Sequence, residues 1–289
     1  MIGLSSAEAT PASKSKLSPY TMVSNEGTIT APTKPSSNSR KRDGATTSSY
    51  KGTGETVTKQ PSTVTKRAEV KNNLPFIGVK SIIGSDDRVR VNRTTSFPYS
   101  AIVQISSDIG DCTGWFINAD TIVTAGHCVY NIDTDKWATG ATITPGRDRN
   151  NAPFGTVKSK SFHSVEGWIT NKDTNYDYAA IKINSDIGNK TGWFGLNWKT
   201  VTRIGSGETM SGYPRDKDYG TQWRQSDKIR QVNDKKLYYT NDTNGQSGSP
   251  VYQKNNHSIA IHTDGGNPYN QGIRINEDVF NNLMYWKDH

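Results

Sequence analysis

The sequence predicts an all-β body of antiparallel strands, closed by one C-terminal helix and preceded by a low-complexity pro-segment. Three observations carry this. From Ser81 onward, short apolar runs (SAIVQIS, CTGWFI, TIVTAG, YAAIKI, ETMSGY, SPVYQ, SIAIHT) alternate with the breaks DIGD, NAD, PGRDRNN, GNKTG and DGGNPYN. Such spacing is the pattern of a β-barrel or sandwich. The final run NEDVFNNLMYWK opens on a capping Asn276 with acids in its first turn, and sets Val279, Phe280, Leu283 and Trp286 on one helical face. Residues 1–70, by contrast, hold only two aromatics, Tyr20 and Tyr50, whereas all seven Trp lie beyond residue 110.

The leader, residues 1–80, is dense in Ser, Thr, Lys and Pro. A segment so composed cannot bury enough apolar surface of its own to offset its ordering entropy, so it is expected to be largely unpacked. The folded body is residues 81–289, with the helix over 276–287. Charge divides at the same place. Residues 1–80 carry 12 Lys+Arg and 5 Asp+Glu, a balance of +7, and residues 81–289 carry 23 and 22, a balance of +1. The basic pI therefore belongs to the leader, and no nucleic-acid partner is expected. Arg40-Lys41-Arg42 reads as a solvated run or a processing site. No apolar run approaches the ~20 residues that span a bilayer, so no membrane partner is expected either. Ala7-Glu8-Ala9 has the form of the tail of a signal-peptide cleavage site. TGWF occurs at 113–116 and again at 191–194; four residues read better as coincidence than as duplication.

Cys112 and Cys128 are the only cysteines. They are two buried free thiols or, if DCTGWFI and TIVTAGHCVY are neighbouring strands, a disulfide within reach, which would require an oxidising compartment. Two thiolates are too few for a zinc site of cysteines alone, and no run matches an EF-hand loop. No metal or cofactor is expected.

Three motifs carry chemistry. TAGHC places His127 beside Cys128, NYDYAAIKI places Asp177 at the head of an apolar strand, and GQSGSP places Ser247 between glycines. Singly, each has an ordinary explanation: a satisfied histidine, a strand cap, a turn. Together they supply a hydroxyl nucleophile, an imidazole to take its proton, and a carboxylate to orient the imidazole. The glycines around Gln246-Ser247 permit a bend that aims the N–H groups of Gly245 and Ser247 at one point, as an oxyanion hole requires.

With these motifs the sequence resembles the chymotrypsin-fold serine proteases, and in particular the glutamyl endopeptidases of Bacillus and staphylococci. SIIGSDDRVRV, FPYSAIVQISS, CTGWFI, TAGHCVY, TNYDYAAIKI, SGYPRDK, GTQW and GQSGSPVY follow in that family's order and cover nearly all of 81–289. The resemblance implies two β-barrels, the first roughly 81–195 and the second roughly 196–275, with the active site between them. It also implies a Cys112–Cys128 disulfide and a pocket formed by Thr240–Asn244 and Ile259–Gly265. In that pocket His262 and Thr243 would donate to a substrate carboxylate. Asp242 keeps a rival open, a trypsin-like pocket for Lys or Arg. The approach Asp242–Gln246 is one residue shorter than the family's usual one, which leaves the placement of Thr243 open, together with a third reading: a weakly active binding or toxin-like protein on the same scaffold.

Acid composition bears on the choice. Residues 81–289 contain 19 Asp but three Glu (Glu166, Glu208, Glu277), whereas the leader has four Glu (Glu8, Glu26, Glu55, Glu69) and one Asp, Asp43. A protease that cuts after Glu would spare its own body and need not spare a disposable leader. The expected protein is thus a secreted serine endopeptidase cutting after Glu and more slowly after Asp. Its leader would be a propeptide removed at Lys80-Ser81 by a separate activating protease, after which the α-amine of Ser81 would help hold the substrate carboxylate. Polypeptides are its expected substrates, and a monomer its expected state.

Overall fold

The structure, a computed structural model, describes residues 17–32, 43–57, 61, 82–201, 203–241 and 245–289. The segments 7–9 and 40–42 and the residues Glu69, Lys80, Ser81, Asp242 and Thr243 lie outside the described residues.

Six strands close the first barrel in the order Ala141–Pro145, Ile102–Ser107, Gly110–Phe116, Thr121–Thr124, Ala179–Ile183 and Val157–Val165, with Thr142 paired to Lys158 to complete the ring. Branched and aromatic residues at alternate positions fill it: Ile105, Trp115, Ile122, Ile143, Phe162 and Ile181 are all buried. The second barrel is an open half-barrel running Trp223–Lys228, Gly207–Gly212, Pro250–Tyr252, His257–Asp264, Asn270–Arg274 and Lys236–Tyr239. Met210, Leu237, Val251 and Ile259 form its smaller core. The linker strand Gly195–Lys199 joins the two, pairing in parallel with the start of His257–Asp264.

The C-terminal helix spans Glu277–Asp288, as expected. Asn276 Oδ1 accepts from Val279 N at 3.0 Å, and Val279, Phe280, Leu283 and Trp286 are buried. Its last carbonyls are satisfied by the body: Lys182 Nζ donates to Trp286 O at 3.0 Å and Asn118 Nδ2 to Lys287 O at 2.7 Å. The two TGWF runs differ in structure. The first lies within Gly110–Phe116, while the second runs from the helix end at Thr191 through a left-handed Gly192.

Two sequence expectations are corrected. Cys128 is not on a strand: the ladder stops at Thr124, and Cys128 closes the one-turn 3-10 helix Gly126–Cys128. The leader, expected to be largely unpacked, is packed in both of its longer described segments. Met22–Ser24 pairs with His163–Val165 on the first barrel, and Gly44–Thr46 pairs with Asn197–Lys199 on the linker. Tyr20 and Met22 are buried. The composition argument concerns a segment that must build its own core, whereas this one uses a surface the body provides.

Candidate active site

His127 and Asp177 flank the paired ends of two antiparallel strands of the first barrel, where Thr124 meets Ala179. His127 sits in the 3-10 turn after Thr121–Thr124. Asp177 follows the turn Thr174–Tyr176, two residues before Ala179–Ile183. That turn is fixed by Asp173, whose Oδ1 accepts from Asn175 N at 2.9 Å. Asp177 then grips its partner twice. Oδ2 lies 2.8 Å from His127 Nδ1, and Oδ1 accepts from the His127 backbone N–H at 2.8 Å. Asp177 is buried, the His127 side chain is 34% exposed, and the buried Trp168 ring stands 6.4 Å from the imidazole. Burial pulls the His127 pKa down, but the charge and hydrogen bond of Asp177, helped by Asp264, outweigh it and leave the pKa raised.

Ser247 comes from the second barrel, in a turn held by both barrels. Thr113 N donates to Ser247 O at 2.8 Å, and Gly248 N donates to His262 O at 2.7 Å. Gly248 has φ +85°, and a Cβ there would stand 2.1 Å from Thr113 O and 2.2 Å from Thr124 Oγ1, so only glycine fits. Gly245, φ +72°, packs against the Arg215 side chain. The Ser247 hydroxyl donates to Thr263 O at 3.4 Å, a resting position that substrate would have to redirect toward His127. Cys128 is joined to Cys112, Cα–Cα 6.0 Å, and its Sγ lies 3.9 Å from Ser247 O. The disulfide thus sits between the histidine and serine segments.

His262 is buried on the strand His257–Asp264, its Nδ1 2.7 Å from the Tyr239 hydroxyl. Burial and the nearby His127 charge push its pKa down to about 3, so it is a neutral imidazole. The sequence missed Tyr239, which reaches the site across the sheet with no local motif to mark it. Asp264 and Arg215 lie in segments the sequence picked out, Ile259–Gly265 and SGYPRDK, but were given no role there. Among the described residues one group, Cys112, His127 and Cys128, clusters metal-ligating atoms within 4.8 Å. The disulfide withdraws both sulfurs from ligation.

A model of the trypsin family matches residues 88–286. The chain belongs to the trypsin family. Within it, this serine endopeptidase is a homologue of the glutamyl endopeptidases. It is 41% identical over 302 residues to a glutamyl endopeptidase of Bacillus licheniformis, covering 99% of this chain and 92% of that protein. It is also 43% identical over 285 residues to a Bacillus subtilis protein named extracellular metalloprotease, covering 94% of this chain and 89% of that protein. A solved Glu endopeptidase in complex with MPD superposes on the protease with a TM-score of 0.70 at 30% identity, covering 72% of this chain and all of that one. No described helix of the protease is long and apolar enough to cross a membrane.

Proposed function

We propose that this serine endopeptidase hydrolyses peptide bonds after Glu, and more slowly after Asp, through an acyl-enzyme. Ser247 Oγ attacks the scissile carbonyl carbon as its proton passes to His127 Nε2. The C–N bond then breaks, and the same proton goes to the leaving amine. Water repeats the cycle on the ester and releases the acid. Asp177 holds the imidazole and stabilises the imidazolium, and the N–H groups of Gly245 and Ser247 receive the oxyanion. His262, Thr243 and the α-amine of Ser81 address the substrate carboxylate. In this reading the protein is secreted as a monomeric zymogen and cut at Lys80-Ser81 by another protease.

The observation that carries the Glu reading is His262, a buried neutral imidazole whose own carbonyl is bonded to Gly248, the residue after the nucleophile. A neutral ring can donate to a carboxylate without first losing a charged form to desolvation. The distribution of glutamates adds support. Glu26 and Glu55 of the leader are exposed, whereas Glu208 is 3% exposed and Glu166 and Glu277 are half-buried. The body offers few sites to an enzyme of this specificity.

The test uses processed protein and matched fluorogenic peptides with Glu, Asp, Lys or Leu before the cut, and Ser247→Ala as control. Cleavage after Glu that vanishes in the control supports the reading. Preference for Lys moves the pocket to Asp242. Folded, processed protein that cleaves none of the four, and does not react with a serine-directed phosphonate, is a binding protein on this scaffold.

A further inference from the structure

The described leader residues bond to the body at points other than the Ser247 turn. Pro19 O and Thr21 O accept from Gly167 N and Glu166 N, both at 2.9 Å, and Asn25 exchanges bonds with the Phe162 backbone at 3.0 and 2.8 Å. Tyr20 is the anchor. Its ring lies edge-on to Tyr176 at 5.1 Å, and its hydroxyl accepts from Lys235 Nζ and from Asn276 Nδ2. Its carbonyl accepts from Asn282 Nδ2 at 3.0 Å. One residue therefore touches the turn that carries Asp177, the second barrel and the C-terminal helix.

The second segment follows the linker and then crosses Gly188–Thr191. Thr47 N donates to Leu196 O at 2.9 Å, Tyr50 and Trp193 exchange backbone bonds at 2.9 and 2.8 Å, and Thr53 N donates to Asn189 O at 3.0 Å. The crossing is backbone on backbone. A Cβ on Gly52 would stand 2.4 Å from Gly192 N, and one on Gly192 would stand 2.4 Å from Tyr50 O. Each glycine thus leaves room for the other segment's backbone at this crossing.

We infer that this surface is a docking site for residues 17–32 and 43–57, and that the leader stays on it as a separate chain after the link to the body is cut, with the active site open. The inference rests on the leader being severed from the body, as read above. Binding is by added strands, with the Tyr20 anchor and the Gly52–Gly192 crossing supplying specificity. Every bond of residues 17–32 and 43–57 named here lands on the first-barrel edge, the Tyr176 turn, Lys235, the C-terminal helix or the linker region. Holding Tyr176 gives the leader a grip on the segment that presents Asp177. It acts as a clamp there, not as a plug.

The experiment uses the full chain with residues 66–72 replaced by the recognition sequence of an unrelated site-specific protease, so that its outcome does not depend on a natural cut at Lys80-Ser81. In a Ser247→Ala background, the cut protein is passed over a gel-filtration column at low micromolar concentration and the peak is weighed by intact mass spectrometry. Leader co-eluting with the body is expected. Tyr20→Ala or Gly52→Val should release it at least about tenfold faster, and Tyr20→Phe, which keeps the ring, tests the anchor if Tyr20→Ala fails to fold. Leader eluting alone overturns the proposal. In the Ser247 chain, a serine-directed phosphonate should label the complex and the leader-free body at the same rate. Slower labelling of the complex overturns the open-site claim. Labelling of neither counts against the nucleophile assignment, while co-elution still decides the docking.

Discussion

At the scale of single residues, the double grip of Asp177 on His127 decides the pH behaviour. In the proposed mechanism His127 must be unprotonated to accept the Ser247 proton, and its pKa is raised above the ordinary 6.5 mainly by Asp177 acting against burial. The acid limb of kcat/KM should therefore lie above that value. Asp177→Asn should lower kcat by about 10⁴ and move the limb to lower pH, which a pH–rate profile of both proteins would show. Tyr239 offers a second test. Its hydroxyl is a buried partner of His262 Nδ1, and losing one partner of a buried pair costs about 1–3 kcal/mol. Tyr239→Phe should thus reduce kcat/KM on Glu peptides by about tenfold or more, and change cleavage of Leu peptides little. An equal loss on both would assign Tyr239 to the fold alone. His127, Asp177 and Ser247 were legible in the sequence because each sits in a short motif of its own. Tyr239 was not, because KLYY is an ordinary strand until its neighbour across the sheet is known.

At the scale of elements, the strand Gly207–Gly212 carries a buried acid. Glu208 is buried opposite Asp227 in the ladder, and burial, with the Asp227 charge, pushes its carboxyl up to about 8. The folded protein then holds a proton that the unfolded chain releases. Stability falls as pH rises from the ordinary carboxylate range to about 8. Glu208→Gln should match the parent in thermal midpoint near about pH 5 and exceed it near about pH 9. If the gap stays constant with pH, the carboxyl does not titrate in that window. Strands and closing helix were readable from apolar periodicity and the Asn276 cap. The leader strands were not, since Met22–Ser24 and Gly44–Thr46 have no apolar pattern and order only against the edges they meet.

At the scale of the molecule, the disulfide ties two segments of the first barrel beside the serine turn. It joins residues 16 apart in sequence and lies against the Ser247 carbonyl. Replacing both cysteines with serine should cost roughly 3 kcal/mol by loop closure, read as a lower urea midpoint with unchanged slope. The division into two barrels followed from the family motifs, while the wrap of the leader around them depends on distant pairings such as Tyr20 with Asn282. That wrap has a consequence for the body alone. Without the leader, His163–Val165 and Asn197–Lys199 would lose the strands that cover them, and two ladders would stand open. Open ladders invite pairing between copies. A leader that stays docked keeps both ladders paired, so it also serves the cut enzyme as a cover against association between copies.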